Sequence, residues 1–202
     1  MKSKQDIFVY ADWVGLSEPT LVGILHVQWL RGKELFGFEY DKAWITNHSS
    51  FYLDPNILPF GGPQYVKDNT PNFGVFLDSS PDRWGRMLLK RREAIFARNE
   101  QRLPHTLGES DFLLGVFDDA RMGGLRFKLD PNGHFLDNDA ALSTPPMAAL
   151  RDLEYASQQL ETDESIQSDR WIKLLLAPGS SLGGARPKAN VLDENNELWV
   201  AK

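Results

Sequence analysis

Three runs rich in β-branched and aromatic residues fall within the first forty positions: Ile7 to Ala11, Thr20 to Trp29 and Glu34 to Tyr40. Runs of this kind favour a pleated, half-buried surface over a helix. Arg31-Gly32-Lys33 separates the last two and suits a hairpin turn. The opening of the chain is therefore expected to be a small antiparallel sheet or meander. With the helices read below, the expected fold class is α+β.

Beyond this sheet the pattern changes. Residues 46–78 carry Pro55, Pro59, Pro63, Pro71 and Gly61-Gly62, and are expected to be irregular. A helix is predicted to start sharply next, with Ser79 or Ser80 as its cap, Pro81 in the first turn and Asp82 at the positive end of the dipole. Trp84, Met87, Leu88, Ile95 and Phe96 supply its apolar stripe. Thr106-Leu107-Gly108-Glu109 has the spacing of a capping box before FLLGVF, which predicts a shorter second helix. Gly123 to Leu129 reads as a strand, Asp130-Pro131-Asn132-Gly133 as a turn, and His134 to Leu136 as a returning partner. Residues 137–146 are polar and proline-containing, and a domain boundary is expected at about residue 140. This gives an N-terminal subdomain over 1–140 and a second part over 141–202. Met147, Leu150, Leu153, Tyr155, Ala156 and Leu160 follow with helical spacing.

Composition narrows the class. Hydrophobic residues make up 42% and charged residues 25%, with six Trp and twelve Phe, enough for a packed core. There is no Cys, which excludes disulfides and thiolate metal sites. No apolar run is long enough to span a membrane, and MKSKQDIFVYADW lacks the apolar core of a signal peptide, so a cytoplasmic location is expected. The net charge of -6 disfavours general nucleic-acid coating. The basic stretch from Arg83 to Arg102 is read as a solvated helix face.

The tail holds the chemistry. Ala177 to Lys188 is a Gly- and Ser-rich loop, followed by KANVLD, the turn Glu194 to Glu197, and LWVAK. Glycines let backbone N–H groups approach phosphate oxygens without a Cβ in the way. A Walker A motif is absent, because Gly184 precedes Ala185 and Lys188 precedes Ala189. A dinucleotide fingerprint is absent too, because neither its spacing nor its following helix is present. The order loop, strand, turn, strand, ending Trp199-Val200-Ala201-Lys202, is instead that of a kinase-like nucleotide roof with one lysine for the phosphates. A plain surface loop and a solvated strand-end lysine remain the alternatives.

Three segments carry a resemblance to the HipA toxins. Phe76 to Glu93 (FLDSSPDRWGRMLLKRRE) is similar to that family's P-D-x-W-G-R turn and basic helix. Asp111 to Phe127 (DFLLGVFDDARMGGLRF) looks like its D-D-x-x-M-G-A-L-R-F segment. Ser180 to Lys202, with SSLGGARPKANV and LWVAK, resembles its S-x-G-G-A-R-P-K loop and lysine strand; Phe38 to Trp44 is a softer fourth match. The resemblance implies a small N-terminal α/β subdomain followed by the start of a kinase N-lobe sheet. It implies ATP- and Mg²⁺-dependent phosphorylation of a protein serine or threonine, with an aminoacyl-tRNA synthetase as the target in the best-known members. Lys202 would anchor the ATP phosphates, and Gly183, Gly184 and the backbone near Ala185 would cover them. Ser181, with Ser180, falls where the family carries an autophosphorylated serine, although loop solvation explains these serines equally well. The usual partner is a helix-turn-helix antitoxin, through which DNA would be contacted indirectly.

The resemblance places the catalytic aspartate and the Mg²⁺ ligands downstream of the lysine strand. No residue here is assigned to those roles, and the chain is expected to be inactive alone, with its final strand prone to self-association. Asp118-Asp119 precede a Gly-Gly turn and are read as turn chemistry, while His26, His48, His105 and His134 lack zinc-ligand spacing. Two competing readings stand beside the kinase. One is a non-enzymatic regulatory module that pairs with a separate HipA-like kinase. The other is an unrelated nucleotide-binding domain.

Overall fold

The computed structural model describes residues 4–48, 51–67, 70–139, 149–162, 175, 184 and 186–201. The fold is α+β. The opening runs form β1 (Lys4–Ala11), β2 (Thr20–Leu30) and β3 (Lys33–Tyr40), joined by a turn with Arg31 and Gly32 both at positive φ. With β4 (Gln64–Tyr65) and β5 (Leu125–Lys128) they make a five-stranded sheet, ordered β4-β3-β2-β1-β5 and antiparallel throughout.

Two compact units are built from interleaved stretches of chain. The first comprises Met1–Ser79, Gly108–Leu114 and Gly123–Leu136; the second comprises Ser80–Leu107, Gly115–Met122 and Asp137–Lys202. The expected boundary at about residue 140 lies outside the described residues.

The first unit holds the sheet and three short helices, α1 (Lys42–Asn47), α2 (Gly74–Asp78) and α4 (Glu109–Leu114). Alternation buries one set of side chains: Ile7, Val9 and Ala11 on β1, Leu25 and Val27 on β2, Phe36, Phe38 and Tyr40 on β3. The register sets Ile7 opposite Leu25 and Leu25 opposite Phe38, so these residues line up across three strands. Phe76 of α2 is fully buried, with its ring 5.6 Å from Phe38 and 6.3 Å from Phe127. Gly23 permits this packing, because a Cβ there would lie 2.2 Å from the Glu39 carbonyl oxygen and 2.6 Å from Phe38 Cζ.

The described residues between 46 and 78 hold β4 and α2, more regular structure than the prolines and glycines suggest. Helix α2 has no side-chain cap from its own N-cap residue, Phe73. The buried carboxylate of Asp54 supplies it, accepting the Val75 N–H at 2.9 Å from 21 positions away while its other oxygen accepts the Asn56 N–H at 2.7 Å. A tertiary cap cannot be read from local spacing. The capping box of α4 is also displaced. Gly108 donates its N–H to Asp111 at 2.9 Å, two residues on from the expected Thr106–Glu109 pairing. The returning segment after the Asp130–Gly133 turn sets the Leu136 N–H on the Phe127 carbonyl at 2.9 Å, but residues 134–136 form no strand.

The second unit is dominated by α3 (Arg83–Asn99), with a 3₁₀ turn at Asp118–Ala120, α5 (Leu150–Thr162) and a two-stranded antiparallel sheet of β6 (Ala189–Leu192) and β7 (Leu198–Ala201). Helix α3 starts later than the serines would place it. Asp82 is its N-cap, in extended backbone, and neither Ser79 nor Ser80 fills that position. Trp84, Leu88, Leu89 and Ile95 are buried, but Phe96 is 42% exposed, so it leaves the expected stripe. On α5, Leu153 and Ala156 are buried while Tyr155 is exposed. Among the described residues, no helix is long and apolar enough to cross a membrane.

Candidate functional site

The candidate site lies in the second unit and is built on one peptide, Gly184. Its φ is +97°, in the left-handed region that glycine tolerates best. Its N–H donates to Asp82 Oδ2 at 2.7 Å, and its carbonyl accepts the Trp84 N–H at 3.2 Å. Both polar groups of Gly184 are thus held by the N-terminus of α3. A Cβ at 184 would lie 2.6 Å from Lys188 Nζ, so the ammonium packs where any other side chain would begin. The arrangement brings a carboxylate from the start of α3 and the Lys188 ammonium to one glycine peptide.

Asp82 spends its side chain unusually. The residue sits at N-cap and its carbonyl accepts the Arg86 N–H at 2.9 Å, yet its carboxylate makes no bond to its own helix. Arg86 is tied back through its Nε to the Pro81 carbonyl at 2.8 Å, which braces the turn entering α3. Aspartate at N-cap normally signals local capping, so the sequence carries no sign of the Gly184 contact.

The hairpin beyond Gly184 is organised by Asp193. Its Oδ1 accepts the N–H groups of Asn195 at 2.8 Å and Glu197 at 2.9 Å, and its Oδ2 accepts Trp199 Nε1 at 3.1 Å. These bonds, the Glu197 N–H foremost and burial opposing them, hold its carboxyl below the ordinary aspartate value. Asn196 takes a positive φ of 61° in the same turn. The expected turn over Glu194 to Glu197 forms, but the residue that shapes it lies one position earlier. The register pairs Ala189 with Ala201 at the open end of the hairpin.

At that end a cleft of about 420 Å³ is lined by Leu150, Leu153, Leu175, Ala189 and Ala201, with Arg151, Glu154 and Lys188 as its charged members. An apolar cleft with a few charged groups suits a small ligand that has a flat apolar part and an ionic part. Of the residues expected at the nucleotide site, Gly184 is brought to α3 as described. Gly183, Ala185, Ser180, Ser181 and Lys202 lie outside the described residues. Asp118 and Asp119 fall in the 3₁₀ turn, and Gly123 after them has a φ of +86°. Among the described residues, no group of three or more His, Asp or Glu side chains is placed to hold a metal ion.

No family model, no curated protein and no solved structure matches this chain.

Proposed function

We propose that the chain is the N-terminal portion of a HipA-type serine/threonine kinase toxin, cytoplasmic, contributing the upper jaw of a nucleotide clamp. The observation that carries this is the contact between Asp82 and Gly184. It joins the P-D-R-W-G-R segment to the G-G-A-R-P-K segment, two stretches that resemble separate motifs of one family and lie 102 positions apart. The antiparallel β6–β7 hairpin and the cleft beside Lys188 and Ala201 support the same reading, since both suit a roof over a purine with cations near its phosphates.

In a complete kinase of this type, Mg²⁺-ATP would supply the phosphoryl group and its charge neutralisation. The γ-phosphoryl would pass to a serine or threonine hydroxyl of a protein substrate, ADP would leave, and the hydroxyl proton would go to an aspartate not assigned in this sequence. An aminoacyl-tRNA synthetase as substrate and a helix-turn-helix antitoxin as partner belong to this proposal. Mg²⁺-ATP titrated into the full chain tests it. Binding is expected to be weak and to be lost in Lys202→Met. Absence of binding, or binding indifferent to that substitution, would overturn the nucleotide reading. Phosphotransfer by residues 1–202 alone is expected to be absent.

A further inference from the structure

We infer that Asp82 is a two-position latch, pointing either at the Gly184 N–H or at the N–H groups of its own helix, and that an anion on Gly184 drives it from the first to the second. The inference rests on the nucleotide reading above.

In the structure the carboxylate is in the first position. It occupies the Gly184 N–H at 2.7 Å, and an N–H so occupied cannot at the same time donate to a phosphate oxygen. A phosphate brought to Gly184 would also meet the negative charge of Asp82, which repels it. The state observed is therefore closed to an anion at this peptide.

The second position is ready. Asp82 already has the extended backbone of an N-cap, with φ -77° and ψ -170°, and its carbonyl already accepts the Arg86 N–H. Its carboxylate is thus within a side-chain rotation of the usual capping partners, the N–H groups of Trp84 and Gly85 at the second and third helical positions. The Trp84 N–H is engaged by the Gly184 carbonyl at 3.2 Å. If Gly184 moves off, that N–H is released just when the carboxylate becomes available to cap it. Bonds lost at Gly184 would be replaced by bonds within α3, and an anion that binds only the second position shifts the balance toward it.

Asp82→Ser separates the two positions. Serine caps a helix well, so α3 keeps its cap, but its hydroxyl is too short to take the place of the carboxylate at Gly184. Asp82→Asn keeps an acceptor without the charge and guards against a folding defect in the serine variant. Amide NMR of the full chain reports on Gly184, and calorimetric titration reports on Mg²⁺-ATP. In wild type the Gly184 amide proton is expected downfield, and to move upfield in Asp82→Ser. Mg²⁺-ATP is expected to bind that variant about three- to tenfold more tightly, the scale of one hydrogen bond removed from competition, with Asp82→Asn in between. Equal or weaker binding in both variants overturns the latch while leaving the nucleotide reading intact. An unchanged Gly184 resonance in Asp82→Ser overturns it as well. No binding by any of the three proteins, with the Gly184 resonance nonetheless moved, sinks the nucleotide reading and reduces Asp82 to a structural tie, which also overturns the latch.

Discussion

Arg102 lays its guanidinium across the carboxylate of Glu93, with one nitrogen on each oxygen; the Nη2 to Oε2 distance is 3.1 Å. The His105 backbone N–H adds a bond to Oε1 at 2.9 Å. The Arg102 bonds, working against burial and helped by His105, lower the Glu93 carboxyl from 4.5 to about 2. A carboxyl held low when folded stabilises the protein above its unfolded value. That stabilisation is lost as pH falls from about 4.5 towards about 2. Because Arg102 is partly exposed, the loss is about 1–2 kcal/mol. Chemical denaturation as a function of pH should show this slope in wild type, and a flatter one in Glu93→Gln.

The same stretch closes the end of α3 with a Schellman arrangement. Arg102 N–H reaches the Ala97 carbonyl at 2.8 Å and Gln101 N–H reaches that of Arg98 at 3.1 Å, with Gln101 at φ 53°. Glycine is the residue suited to that conformation. Gln101→Gly is therefore expected to stabilise the protein by about 0.5–1 kcal/mol, net of the extra freedom it gives the unfolded chain. A lowered thermal midpoint would contradict the assignment.

Gly23 has no room for a side chain, since Glu39 and Phe38 stand within 2.6 Å of a Cβ built there. Its neighbours are sheet backbone and a core ring, neither of which yields easily. Gly23→Ala should cost about 2–3 kcal/mol in urea titration, with the loss falling on the sheet.

Asp54 caps α2 across the fold, so its removal should be felt at Phe76. Asp54→Ala is expected to cost about 2 kcal/mol, and Asp54→Asn less, because an amide oxygen can still accept the Val75 N–H. Equal effects of the two substitutions would show that the carboxylate charge, and not the acceptor, matters.

The sheet was legible because its signal is local. Ile7 to Ala11 and Glu34 to Tyr40 are rich in β-branched and aromatic residues, which favour strands, and the glycine at 32 permits the turn between strands β2 and β3. Helix α3 was legible by its periodicity but not by its start, because Asp82 and Ser80 carry similar capping propensity and only packing chooses between them. Helix α2 was not legible at all, because its cap comes from Asp54. In the candidate site the glycine-rich composition marked Gly184, while nothing local marked Asp82 as its partner.

By itself, the sequence determined the antiparallel sheet, the long basic helix and the position of the turns. These follow from interactions between residues a few positions apart, where side-chain period and backbone preference suffice. Only the tertiary structure decided that the Asp82 carboxylate turns from its own helix to Gly184, and that Asp54 caps α2. Each is a choice among acceptable local partners, and it is settled by which backbone N–H the folded chain brings within hydrogen-bonding distance.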